Sequence, residues 1–115
     1  MKKYTYFILK NKNGTWGKTL VNGYKIDEET FIYAPDYRKW QVYDSRTGTR
    51  ILDGYRETRT QAEKDYHILY ESRVKQIRES SSYGKEVWRI KELKINDPYV
   101  NINGPYERKQ HYEED

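Results

Sequence analysis

Residues 58–77 read TRTQAEKDYHILYESRVKQI, and here the spacing of apolar positions changes from two to three and four. Ala62, Tyr66, Tyr70, Val74 and Ile77, helped by Leu69, share one side of a helical wheel, while Lys64, Asp65, Glu71, Lys75 and Arg78 fall largely elsewhere. The pattern predicts an amphipathic helix of about 18 to 21 residues. Two overlapping capping boxes, Thr58 with Gln61 and Thr60 with Glu63, offer acceptors to its first N–H groups, and Ser80, Ser81, Ser82 and Gly84 provide a stop.

Upstream of this helix the period is two. Residues 4–10 alternate as a strand, with Tyr4, Tyr6 and Ile8 on one face and Thr5, Phe7 and Leu9 on the other. Asn13-Gly14 and Asn22-Gly23 both carry the dipeptide that suits the positive φ angles of a type I′ turn, so one or two hairpins are expected between residues 4 and 26. Phe31 starts a further strand that Pro35 limits to an edge or ends. Trp40, Gln41, Val42 and Tyr43 alternate again, break at residues 45–48, and resume at Arg50, Ile51 and Leu52 as a second hairpin. Downstream of the helix, the β-branched and aromatic content of residues 87–95, ended by Asn96-Asp97-Pro98, favours a last strand over a continued helix. Asn103-Gly104-Pro105 is a turn.

Sheet elements gathered before one long helix predict an α+β fold: an antiparallel sheet of about four to five strands with the helix packed on one face. The other face is expected to look outward, covered by tyrosines and long basic side chains. With 115 residues the chain suits one domain, here residues 1–106, followed by a charged tail at 107–115.

Leu, Ile, Val and Phe supply only 21 residues, few enough to raise disorder, but a net charge of +4 is too small for that class and 13 Tyr with three Trp offer ring surface to bury instead. The longest apolar run, residues 6–9, falls far short of the ~20 residues of a membrane helix, and Lys10 ends it before a signal-peptide core could form. A soluble cytoplasmic protein without membrane partners is therefore expected. The absence of Cys removes disulfides, thiolate nucleophiles and Cys-based zinc sites.

All the surplus positive charge lies in residues 1–26, which hold six lysines and no acid. Lys10, Lys12, Lys18 and Lys25 stand there among Trp16, Tyr24 and other rings. One reading is a hairpin kept from edge-to-edge aggregation by lysines. The other is the electrostatic footprint of a polyanion, with these four lysines on phosphates, Arg46 and Arg50 near groove edges, and Trp16 and Tyr24 against bases. The main expectation is thus a non-catalytic binding protein that contacts nucleic acid, DNA ahead of RNA, through a basic, aromatic-rich sheet face. The alternative is an inhibitor that occupies the basic groove of a host nucleic-acid-processing enzyme, using Asp27, Glu28, Glu29, Glu113, Glu114 and Asp115.

Trp40-Gln-Val-Tyr-Asp-Ser-Arg-Thr-Gly-Thr-Arg-Ile, then Gly54-Tyr55, then residues 58–63 reading TRTQAE, resemble the AP2-like, arm-binding domains that open many tyrosine integrases. The resemblance covers about a fifth of the chain and implies DNA binding, with a three-stranded sheet in the major groove and Arg46 and Arg50 reaching bases and phosphates. Arg56-Glu57 adds a residue to that pattern, and Asp44 and Asp53 place carboxylates on the strands concerned. In composition the chain also resembles small accessory proteins of Gram-positive phages and mobile elements, many of which block host defences, anti-CRISPR inhibitors among them.

Catalytic and metal chemistry find little support. The two histidines, His67 and His111, form no ligand pair, and no cofactor motif is present. No serine stands in a nucleophile elbow and no glycine-rich loop precedes the helix. Pro35-Asp36 with Glu92-Leu93-Lys94 supplies the residue set of a metal-dependent nuclease, but the helix separates its halves. No tyrosine carries flanking Arg and His residues for attack on a phosphodiester. The expectation is a protein that is not an enzyme.

Overall fold

The computed structural model describes residues 2–93 and 112–114, with the side chains of 2, 12 and 112–114 excluded. The turn at Asn103-Gly104-Pro105, the end of the segment read as a last strand, and Asp115 lie outside the described residues, as do the side chains of Lys12, Glu113 and Glu114.

The fold is α+β. An antiparallel sheet runs in the order β4-β3-β2-β1-β5, built from β1 (Lys2–Lys12), β2 (Thr15–Asp27), β3 (Thr30–Tyr33), β4 (Gln41–Asp44) and a short β5 (Tyr112–Glu114). Three residues of the expected tail therefore pair, through their backbone, with the start of β1. Asn13 (φ 55°) and Gly14 (φ 83°) make the turn between β1 and β2, as the dipeptide predicts.

Asn22-Gly23 is no turn. Both residues lie inside β2, opposite Thr5 and Tyr4. Gly23 serves a close approach instead: a Cβ there would sit 2.7 Å from Phe31 Cδ2 and 3.0 Å from the Ile32 carbonyl. The ring of Phe31 covers the backbone that a side chain would have filled.

The helical layer begins as predicted. Thr58 Oγ1 accepts the Gln61 N–H at 3.1 Å, and α1 (Arg59–Leu69) runs into a π-helical turn (Tyr70–Val74) and then α2 (Lys75–Arg78) without a break. Inward positions at 62, 66, 70, 74 and 78 step by four residues, which drifts off one face of a helix with 3.6 residues per turn. The wider turn absorbs that drift. Its consequence is a correction: Ile77 points to solvent, 51% exposed, and Arg78 takes the inward place.

The serine run ends the long helix after Arg78, as predicted, and then caps a second one. Ser80 Oγ accepts the Tyr83 N–H, and α3 (Ser81–Lys91) follows with Ile90 fully buried, so the described part of the segment read as a last strand is helical. Gly84 lies inside it.

Two clusters fill the interior, one on each face of the sheet. Ile32, Val42, Leu52, Ala62, Tyr66 and Val74 pack between sheet and helix. Tyr6, Ile8, Val21, Phe31 and Tyr43 fill the opposite face, where Tyr6 and Phe31 stack at 4.1 Å and Phe31 and Tyr43 at 5.3 Å. This second face is tyrosine-rich but buried, not the outward basic surface expected. The sheet curls: the Leu9 N–H donates to the Gly48 carbonyl at 3.0 Å, joining β1 to the loop after β4 although β2 and β3 lie between them. The result is a partly closed barrel with aromatic filling.

The return segment after β4 is not a strand. It makes isolated bridges, Tyr43 with Arg50 and Trp40 with Arg56. Between them the buried Gln41 side chain takes over the pairing, its Nε2 donating to the Leu52 and Gly54 carbonyls and its Oε1 accepting from the Val42 and Leu52 N–H groups. Among the described residues no helix is long and apolar enough to cross a membrane.

Candidate nucleic-acid interface

Where the barrel closes, its mouth opens into a groove of about 410 Å³. Ile8, Leu9, Tyr43 and Gly48 form its covered floor, and Lys10, Asn11, Trp16, Thr49, Arg50 and Tyr55 its exposed rim. Trp16 is 55% exposed and Tyr55 43%. Arg50 lies over the Tyr55 ring at 5.8 Å, an arrangement that holds both side chains at the rim. Among the described residues no carboxylate lines this groove. Gly48 is required at its base, since φ is +70° and a Cβ would meet the Phe7 ring at 2.9 Å.

Arg50 also lines a second cleft of about 480 Å³ between the loop after β4 and the helices. Thr47, Thr49 and Ser82 contribute hydroxyls there and Arg73 a second exposed guanidinium. Its carboxylates are already occupied. Asp44, 5% exposed, accepts from Arg78 Nε at 3.0 Å, from the Tyr83 hydroxyl at 2.9 Å, and from the Arg46 and Thr47 N–H groups. Glu86 pairs with Arg89. Among the described arginines, Arg38, Arg50 and Arg73 have no carboxylate partner, and two of these three share this cleft.

Beneath the cleft a polar network ties helices to sheet. Arg78 Nη2 donates to the Glu29 carbonyl and Thr30 Oγ1, both at 2.8 Å, and the Tyr66 hydroxyl donates to Asp27 at 2.6 Å. Burial acts to raise the Asp27 carboxyl, but hydrogen bonds from Tyr66, Thr30 and the Glu29 N–H, with Arg78 near, hold it below its ordinary value. A depressed carboxylate stabilises the fold above its unfolded pKa and ceases to do so as pH falls through its folded one. Stability in urea should therefore drop as pH falls below about 4, and Asp27→Asn should flatten that limb. An unchanged acid limb in the variant would exclude Asp27 as its source. The phenols of Tyr43, Tyr66 and Tyr83 are raised, by burial first, so a second loss is expected above about pH 10.

Of the residues singled out in the sequence, Lys10, Trp16 and Arg50 meet at the mouth. Lys18 does not join them. It is 5% exposed, with Nζ donating to the Lys91 carbonyl and lying over the Phe7 ring, so its ammonium is not presented at the surface. Lys25 pairs with Glu28 at 2.8 Å, Arg46 lies 3.7 Å from Glu29, and Tyr24 is half-buried under Arg59. Asp27, Glu28 and Glu29 gather around another cleft with Arg46, Lys75 and Arg78, each carboxylate already holding an internal partner. Tyr55 was legible only as the aromatic of the Gly54-Tyr55 pair and not as a binding residue, and Arg73 was not singled out. Nothing local distinguishes Tyr55 from the other tyrosines, and Arg73 reads as one more charge on the outer side of a helix.

The fold and site thus define a small α+β protein, a curled sheet backed by helices, with a basic and aromatic mouth. No protein-family model matches the chain, and no curated protein or solved structure matches it either.

Proposed function

We propose that this protein is a non-catalytic nucleic-acid-binding protein whose contact surface is the mouth of the curled sheet rather than a sheet face. The observation that carries the reading is an exposed Trp16 beside Lys10 and Arg50 in a groove lined, among the described residues, by no carboxylate. Rings of that exposure stack on bases, and cations with no carboxylate partner among the described residues neutralise phosphates.

Binding of a labelled oligonucleotide, followed by fluorescence anisotropy, should weaken steeply as salt rises from about 50 to about 200 mM. Trp16→Ala should cost about 1–3 kcal/mol of binding, and the charge reversal Arg50→Glu should lose more by adding a carboxylate to the groove. Absence of binding at the lowest salt, or affinity indifferent to salt, would refute the proposal.

A further inference from the structure

We infer that the bound nucleic acid is single-stranded and that it runs from the mouth groove, across Arg50, into the cleft lined by Arg73. This rests on the nucleic-acid reading above and names its ligand.

Three observations carry it. First, the aromatic face that would have to lie in a duplex groove is closed, with Tyr6 at 3%, Phe31 at 0% and Tyr43 at 4% exposure. Second, two of the exposed rings, Trp16 and Tyr55, stand together at the rim of a concave groove. Bases inside a duplex stack on each other and leave no face for a ring, whereas a single strand can turn its bases onto one. Third, Arg50 belongs to both the mouth groove and the cleft, so Lys10, Arg50 and Arg73 mark one path across two adjoining depressions. Cations that follow a backbone beside rings that receive bases are the arrangement a flexible strand needs. Hydroxyls of Thr49 and Ser82 add donors for phosphate oxygens along the second half of the path.

Oligothymidylates of about 4 and about 12 nucleotides, an oligouridylate of the longer length and a duplex of that length, each labelled, separate the possibilities by anisotropy. The longer single strands, DNA and RNA alike, should bind at least about tenfold more tightly than the duplex. For three phosphates neutralised, log K should fall against log salt with a slope of about −2. Arg73→Ala should make that slope shallower by about 0.7 for the long strand, leave the short one unchanged, and be reversed by Arg73→Lys. Trp16→Ala should weaken both lengths by about 5- to 150-fold. Arg73 is exposed on a helix, so its variants should fold and keep the circular dichroism spectrum of the parent.

Duplex bound as tightly as single strand, or Arg73→Ala without effect on the long strand, overturns this inference while leaving the nucleic-acid reading intact. Failure of every oligonucleotide to bind at low salt overturns both.

Discussion

Arg78→Ala is expected to remove about 3–5 kcal/mol of folding free energy, a large share of the roughly 5–15 kcal/mol that a domain of this size has. The guanidinium is 10% exposed and joins four elements. It reaches Asp44 at the end of β4, Thr30 at the start of β3, the Glu29 carbonyl between strands, and Tyr66 on α1 at 3.4 Å. Without it Asp44 keeps the Tyr83 hydroxyl and two backbone N–H donors but loses its counter-charge in a place that water scarcely reaches. A buried charge left alone is what makes such truncations costly. Arg78→Lys keeps the charge but not the planar fork that serves Thr30 and Asp44 together, so it should recover only part of the loss. Asp44→Asn added to Arg78→Ala should cost much less than the two single changes summed. Urea denaturation of the four proteins checks this, and additive losses would show that the pair does not act as a unit.

Phe31→Ala should be comparably damaging, about 3–5 kcal/mol, because it empties the centre of the barrel. The ring has no exposed surface and lies between Tyr6 and Tyr43, nearly parallel to both, with interplanar angles of 2° and 14°. It also fills the space beside Gly23. Phe31→Leu retains most of the volume and should lose markedly less, its residual loss reporting the stacking and its difference from Phe31→Ala the apolar burial. Tyr43 is the link to function, since it contacts Phe31 on one side and floors the mouth groove on the other. Under conditions where Phe31→Leu remains fully folded, oligonucleotide affinity should fall modestly. A loss in urea below about 1 kcal/mol for Phe31→Ala would mean that the ring is not the keystone described here.

How far the chain discloses this arrangement depends on the range of the forces concerned. The two Asn-Gly pairs make the point. Their local chemistry is identical, and at 13–14 it makes a turn with the expected positive φ. At 22–23 it does not, because β1 needs a partner of its own length, and a turn there would leave Tyr4 and Thr5 without their opposite residues in β2. Ile77 and Arg78 tell the same story on the helix. A wheel places Ile77 on the inner face and Arg78 off it, and only the π-helical turn, taken up in packing against the sheet, sends the isoleucine outward and the arginine in. The serine run, legible as a stop, also starts the next helix, since a serine that ends one helix and a serine that caps the next look alike until the chain is placed.

The candidate site divides in the same way. Lys10 and Trp16 were visible as a cation and a ring on one hairpin, and Arg50 as a cation after a turn. Their meeting was not visible, because it depends on the hydrogen bond between Leu9 and Gly48 that closes the sheet upon itself. Burial of Lys18 follows from the same closure and from the end of α3 lying against β2.

From the residues alone came what neighbours along the chain decide: the two-residue period of the early strands, the four-residue period of the helix, the cap at Thr58, the first turn, and the α+β class these compose. The curl of the sheet, the phase of the helix and the partners of the buried Lys18 and Arg78 came only with the folded chain. Those depend on contacts between residues thirty or more positions apart, where one ring or one guanidinium satisfies several elements at once and no short window of sequence contains them all.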